Sequence, residues 1–224
     1  MTHSDHPHRT LTLFSYFRSS AAYRVRIALN LKQIPHDIVP VHLIRDGGQH
    51  RLASYAAVNP QMRVPALRVD EAGRAETLIQ SSAILEWIEE EYPDPPLLPA
   101  DPFARARCRA IAAIVGSDIH PLNNLSALAA LTERFGADEA GRRGWYAKWV
   151  TEGFDAIEAL LGDASFASGD TPGMADLYLV PQVFNARRFE VDLTRYPKIV
   201  ACDRNCLALD SFQQAAPERQ PDAG

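Results

Sequence analysis

The chain has 224 residues, 46% of them hydrophobic and 23% charged, with a formal net charge of −5. That composition supplies enough apolar side chains for a core, which excludes a disordered chain, and its acidic balance argues against a dedicated nucleic-acid binder. The stretch of lowest charge, 111–131, still contains Asp118, His120, Asn123 and Asn124, so no window offers the roughly 18–20 apolar residues of a membrane span.

Residues 1–10 read as a polar tail without the apolar stretch of a secretory signal. His3, His6 and His8 fall within it, and solvated side chains at a chain end are the simpler reading than a metal site. From Leu11 to Tyr92 strand and helix signals alternate. Residues 11–16 alternate as a strand. Ser19 and Ser20 precede a helical run over 21–32, where a serine hydroxyl can accept an orphan amide hydrogen. Pro35 ends it. Residues 36–43 read as a second strand, 52–58 as a short helix, 64–69 and 75–79 as strands joined by a turn at Gly73, and 81–92 as an amphipathic helix. The order β-α-β-α-β-β-α implies a small α/β sandwich, with two parallel strands joined by a crossover helix and then a hairpin.

Prolines 93, 95, 96, 99 and 102 make residues 93–102 a stiff linker. Strand signals then stop. Residues 103–135 read as one long helix bent near Pro121, followed by helices over 145–161, 176–188 and 197–212. The expected division is therefore a tail (1–10), an α/β domain (11–92), a linker (93–102), an all-α domain (103–212) and a polar tail (213–224). Three cysteines, Cys108, Cys202 and Cys206, are too few and odd in number for a disulfide scaffold, which suits a reducing, cytoplasmic setting. Cys202 and Cys206 lie four apart with no histidine pair nearby, so no metal site is expected.

Several motifs sharpen this division. Residues 15–29, SYFRSSAAYRVRIAL, resemble the S-S-C-x-W-R-V-R-I-A-L signature of the zeta-class glutathione transferases. Asn59-Pro60 with Val64-Pro65 resembles the family's N-P-x-x-x-V-P loop, and Gln80-Ser81-Ser82-Ala83-Ile84 its [E/Q]-S-x-A-I segment. Residues 120–125, 180–183 and 188–193 are similar to class-specific segments of the helical domain. The resemblance runs in order from about residue 11 to 221. It implies a thioredoxin-like N-terminal domain joined to an all-α domain in the cytosolic glutathione transferase fold, with glutathione as cofactor, a homodimer in the cytoplasm, and no nucleic-acid or membrane partner. The class includes glutathione-dependent isomerases that convert maleylacetoacetate or maleylpyruvate, small dicarboxylates, to the fumaryl isomer by reversible thiolate addition.

Glutathione brings two carboxylates and a thiol, so its site must hold anions and lower the thiol pKa. A helix N-terminus favours a thiolate through its partial positive charge, and a hydroxyl placed there can donate to sulfur. Ser19 is the expected donor and Ser20 the second choice. By resemblance, Val64 precedes a cis-proline and presents its backbone to the cysteinyl residue. Ser81, at a helix start, with Gln80 beside it, suits the γ-glutamyl carboxylate. His50 stands where the family has glutamine near the glycine end, and Gln49 is its neighbour, so either could make that contact. His120 and Asn124, four apart on the first long helix, would line the cleft from the helical side. Arg18 and Arg188 would clamp the substrate carboxylates, because a guanidinium matches a carboxylate with two parallel hydrogen bonds; Arg187 would face solvent.

Two departures stand out. Ala21 replaces the family's usual cysteine, which argues against chemistry by a protein thiol. Gly173 replaces a threonine or serine three residues before Asp176, so a helix cap lacks its side-chain acceptor and Gly173→Thr should stabilise by a few tenths of a kcal/mol. Two other readings remain open: a general transferase that conjugates or dehalogenates small electrophiles, and a glutathione-binding protein without catalysis, which Ala21 would favour.

Overall fold

The computed structural model describes residues Arg9–Ala223; His3, His6 and His8 lie outside the described residues. The chain forms two compact units. One comprises the residues up to Leu97 together with Ala208 onward, and the other is Leu98–Leu207.

The α/β unit runs β1 (Arg9–Ser15), α1 (Ser20–Leu31), β2 (Asp37–Pro40), two 3-10 turns (Arg45–Gly47 and Gln49–Arg51), α2 (Ala53–Ala56), β3 (Ala66–Glu71), β4 (Arg74–Ile79) and α3 (Ser81–Glu91). The sheet order is β2-β1-β3-β4. β1 lies parallel to β2, with Thr12 opposite Asp37, a pairing that requires the α1 crossover. β1 and β3 are antiparallel, as are β3 and β4. Ala72 and Gly73 both take positive φ (49° and 83°) between the paired Glu71 and Arg74, the backbone that a two-residue hairpin turn demands. Leu13, Val25, Ile27, Leu29, Leu67, Ile84, Leu85 and Ile88 are fully buried between the sheet and α1 and α3.

Three expectations for this unit need correction. Arg9 and Thr10 are not tail: they pair with Glu71 and Asp70 in the sheet, and Arg9 forms ion pairs with Glu71 and Glu91, both 2.9 Å. Residues 213–223 of the expected polar tail (213–224) are not free. The helix expected over 197–212 ends at Leu207, and a further helix, α10 (Asp210–Ala215), packs on α1. Backbone carbonyls of this segment accept from side chains on either side: Asn30 Nδ2 of α1 donates to Ser211 O (3.1 Å), and Gln220 Nε2 donates to Gln214 O and Ala216 O (both 3.0 Å). Third, the linker is not a bare spacer at its start. The Lys32 ammonium, fully buried, pairs with Glu89 at 2.8 Å and donates to the Pro95 carbonyl at 2.7 Å.

The helical unit contains α4 (Pro102–Ala113), a π-helical segment (Ile114–Ile119), α5 (His120–Asn123), α6 (Leu125–Phe135), α7 (Glu139–Leu160), α8 (Met174–Arg188) and α9 (Pro197–Leu207). α4 starts with Asp101 as cap, its Oδ1 accepting from Ala104 N at 2.8 Å, and with Pro102 in the first turn, where its missing N–H is not needed. The single helix expected over 103–135 is broken, because Asn124 is extended (φ −74°, ψ 166°) and caps α6. Gly153 lets α7 approach the π segment: a Cβ there would lie 2.3 Å from Ile119 Cδ1. Asp176 is completely buried and accepts from the amides of Ala167, Ser168 and Gly173 (2.8, 3.1 and 3.0 Å). The acceptor missing at Gly173 is supplied from outside the helix, since Ser168 Oγ accepts from Ala175 N at 3.0 Å.

Candidate functional site

The register of the sheet brings several loops to one of its ends. Ser15 lies opposite Pro40, Phe14 opposite Ala66, and Ala66 opposite Ile79. The segments that leave there are 16–19 into α1, the 41–50 loop, the residues just before β3 and those just after β4. Ser19, Val64, Gln80, Ser81, Gln49 and His50 therefore emerge together at that end of the α/β unit.

Ser19 is the N-cap of α1: its Oγ accepts from Ala22 N at 3.2 Å. An accepting hydroxyl keeps its hydrogen to donate, and it sits where the first amides of the helix have no intrahelical acceptor. Ser20 is buried as the first helical residue. The chain's own thiols lie elsewhere and stay protonated. Burial raises Cys108, pushes Cys202 up to about 11, and raises Cys206 further beside Asp176.

The loop before β3 is organised by Asn59, which is buried. Its Nδ2 donates to Arg63 O (2.6 Å), and its Oδ1 accepts from Gln61 N (2.9 Å); Tyr55 Oη also donates to Arg63 O, at 2.7 Å. The Val64–Pro65 bond that follows is cis. Gln61 Oε1 accepts from Gln80 Nε2 at 2.6 Å, which ties this loop to the start of α3. Gln80 has φ 69°, a left-handed conformation uncommon for a non-glycine residue.

Ser81 opens α3 and is buried; Arg24 NH1, from α1, donates to its Oγ at 3.2 Å. Arg24 thus adds a buried positive charge beside the α3 N-terminus, strengthening a place suited to a carboxylate. In the 41–50 loop the two candidates for the glycine end separate. Gln49 holds the loop together, its Oε1 accepting from His42 N at 2.9 Å and its backbone N donating to His42 O at 2.8 Å. The His50 ring lies against Gly48, where a Cβ would be 2.6 Å from its Cε1, and its buried Nδ1 has no protein partner. Burial first and Arg51 second hold His50 below its ordinary pKa.

Arg18 is exposed, with its guanidinium 4.6 Å above the Phe17 ring. In the helical unit, Arg188 is exposed at the end of α8, stacked 5.0 Å over Phe189, which lies flat on Tyr146 at 3.8 Å. Arg187 is not idle at the surface: it pairs with the buried Asp203 at 2.6 Å. His120 and Asn124 do not share a helix, because the chain breaks between α5 and α6. The Asn124 side chain is occupied in capping, its Oδ1 accepting from Ala127 N at 2.9 Å and Ser126 Oγ at 2.6 Å while its Nδ2 donates to Pro121 O. Sequence reasoning missed Arg24, Asn59 and His42. His42 packs edge-on to Tyr16 at 4.9 Å and accepts through Nδ1 from Arg45 N. The signal for Arg24 was present, since two arginines two apart in an otherwise apolar helix cannot both face solvent.

Family models described as the glutathione S-transferase N-terminal and C-terminal domains match residues 13–96 and 146–201. A maleylpyruvate isomerase from a Ralstonia species is 52% identical over 217 residues, covering 95% of this chain and all of the relative. A maleylacetoacetate isomerase from Pseudomonas aeruginosa is 51% identical, covering 95% and 98%. Among solved structures, a holo maleylpyruvate isomerase described as a bacterial zeta-class glutathione S-transferase superposes with a TM-score of 0.89 at 51% identity, over 95% of this chain and all of that one. A maleylacetoacetate isomerase from Anaeromyxobacter dehalogenans 2CP-1 with glutathione in its active site gives 0.88 at 44%, covering 97% and 99%. The chain belongs to the glutathione S-transferase family, and its thioredoxin-like unit with an all-α unit is that family's fold. Within the family, its similarity lies with the zeta-class isomerases.

Proposed function

We propose that the chain is a glutathione-dependent cis–trans isomerase of maleyl dicarboxylates, acting on maleylpyruvate or maleylacetoacetate. The observation that supports this most is the Ser19 hydroxyl, which caps α1 at the end of the sheet where the Val64 loop, the α3 N-terminus and the His50 ring also emerge. When bound, glutathione supplies a thiolate that adds reversibly to the maleyl double bond, lets it rotate, and leaves unconsumed.

The residues of this chain do the rest. Ser19 Oγ–H donates to the sulfur, with Ser20 as the second hydroxyl, and the α1 N-terminus favours the ionised form. Val64 offers its backbone N–H and C=O to the cysteinyl residue. Ser81 and Gln80, with Arg24 behind them, receive the γ-glutamyl carboxylate. His50, whose Nδ1 has no protein partner, takes the glycine carboxylate in preference to Gln49, whose Oε1 accepts from His42 N and whose Nε2 donates to Asp46. Arg18 and Arg188 are the proposed partners of the substrate carboxylates. His120 is kept as a glutathione contact, and Asn124 acts through its cap. With this reading go a homodimer, a cytoplasmic location, and a place in aromatic-ring breakdown of the tyrosine or gentisate type.

An absorbance assay with each maleyl substrate, with and without glutathione and closed by a thiol titration, tests the reading. Isomerisation that requires glutathione and leaves the thiol count unchanged is expected. Loss of thiol would instead make the protein a conjugating transferase, and glutathione binding without turnover a binding protein. Ser19→Ala should lower turnover by about 10-fold or more with the fold intact.

A further inference from the structure

The turn that delivers Ser19 is gripped from the far end of the chain. Residues 16–19 form a tight turn, with Ser19 N donating to Tyr16 O at 2.9 Å. Beneath it lies Arg26, a guanidinium only 1% exposed. It donates to Ser15 Oγ (3.0 Å), Tyr16 O (3.4 Å) and Phe17 O (3.1 Å), and its Nε donates to Ala215 O in α10 (2.9 Å). The outward amide of the same turn, Phe17 N, donates to Asp222 Oδ2 at 3.1 Å. Asp222 is buried, and Ala223 beyond it packs on the cluster of Tyr16, Phe17, Val41, Tyr55 and Val64. The carboxylates of Asp222 and Glu218 both act on the Arg26 charge. The turn is thus held on its carbonyl side by Arg26 and on its amide side by the last described residues of the chain.

We propose that Asp222 is a positioning residue for the reaction: by fixing the Phe17 amide against the pull of Arg26, it sets where Ser19 presents its hydroxyl and where the Phe17 ring carries Arg18. The proposal rests on the reading of Ser19 given above. A misplacement of about 1 Å in such a turn can cost orders of magnitude in rate, so the Asp222 contact acts through geometry and not through contact with the substrate.

The test uses the full chain and two readouts, the ultraviolet thiolate absorbance of bound glutathione and the split between kcat and KM. Asp222→Ala should leave about 10-fold less bound thiolate at neutral pH and a kcat lowered about as much, with a smaller change in KM for glutathione. Asp222→Asn keeps an oxygen acceptor for Phe17 N and should recover most of both. If Asp222→Ala does not fold, Asp222→Glu, which moves the carboxylate by one methylene, should show the same loss of thiolate. Wild-type thiolate and kcat in the alanine variant, or in the glutamate variant used in its place, overturn the proposal. So does a lowered Tm with both readouts unchanged in the folded protein. Ser19→Ala run in parallel separates the two readings. If it keeps the thiolate, the serine assignment falls and this proposal with it; if it loses the thiolate while Asp222→Ala does not, this proposal alone falls.

Discussion

The two units bury different charges. Among the described residues, the buried ions of the α/β unit are the cations Arg24, Arg26 and Lys32 with one carboxylate, Asp222; in the helical unit they are the carboxylates Asp176 and Asp203 alone. Arg24 and Arg26 hold turn carbonyls and a serine hydroxyl around the end of the sheet where Ser19 emerges, while Lys32, at the far end of α1, holds Glu89 and the Tyr92 and Pro95 carbonyls. Asp176 instead gathers the amides at the start of α8 and in the loop before it, and Asp203 answers Arg187. A buried charge is costly unless it is fully hydrogen-bonded, so each set marks where the fold has to keep a backbone in one conformation. In the α/β unit that conformation carries the proposed contacts to glutathione. In the helical unit it serves the helix start.

The largest effect that would sharpen this contrast is at Asp176. Asp176→Ala strands three amides, each costing about 1–3 kcal/mol, so a total loss of roughly 3–9 kcal/mol is expected, lowering Tm by roughly 10 °C or more. The thiolate absorbance of bound glutathione, read well below that Tm, should not change. A variant that loses thiolate while keeping Tm would erase the distinction between the units. The opposite pattern is expected at Arg24. Arg24→Met keeps the bulk of the side chain but removes the charge behind Ser81, so KM for glutathione should rise about 10-fold with kcat little changed, while Tm moves less than in Asp176→Ala. Steady-state kinetics at varied glutathione checks this.

The contrast also explains which parts of the molecule were legible in the sequence. Local signals were enough for the βαβαββα order, for Ser19 as a cap and for the hairpin at Gly73, because each depends on residues a few positions apart. The return of the C-terminal segment was not legible: 213–223 is polar, and what buries it is Arg26, 189 residues before Ala215. The break at Asn124 was hidden inside a helical run: the cap on Ala127 N is local, but the contact that fixes its neighbour, Asn123 Nδ2 to Tyr146 O, comes from tertiary packing. Gln49 and His50 could not be separated from sequence, because the choice depends on which of the two the loop itself uses.

A smaller and pH-dependent effect is expected at His50. Burial holds its imidazole below the ordinary 6.5, so in the free protein the neutral ring is favoured. As pH falls through about 6.5 the unfolded chain gains a proton that the folded one resists, and this residue's contribution to stability declines. A glycine carboxylate beside the imidazole reverses the preference, so binding takes up a proton. With S-methylglutathione, which has no thiol to titrate, affinity should tighten several-fold from about pH 8 to about pH 6. In His50→Ala it should be weaker and flat. Titration calorimetry across that range decides, and a flat wild-type profile would return the glycine end to Gln49.

The smallest effect lies at the other unit's helix start. Gly173 lacks a capping side chain, and its backbone (φ −160°, ψ −155°) is open to any residue, so Gly173→Thr should stabilise by a few tenths of a kcal/mol if nothing else did the job. Ser168 does part of it already, accepting from Ala175 N, and Asp176 holds Gly173 N from the other side. The gain should therefore shrink toward zero in the wild-type background, while Ser168→Ala alone should cost about 1 kcal/mol. In the double variant, threonine at 173 can take over the vacated amide, so Gly173→Thr should stabilise more in Ser168→Ala than in wild type. A double-mutant cycle in urea measures this coupling; simple additivity would mean that the two positions do not compete for the same donor.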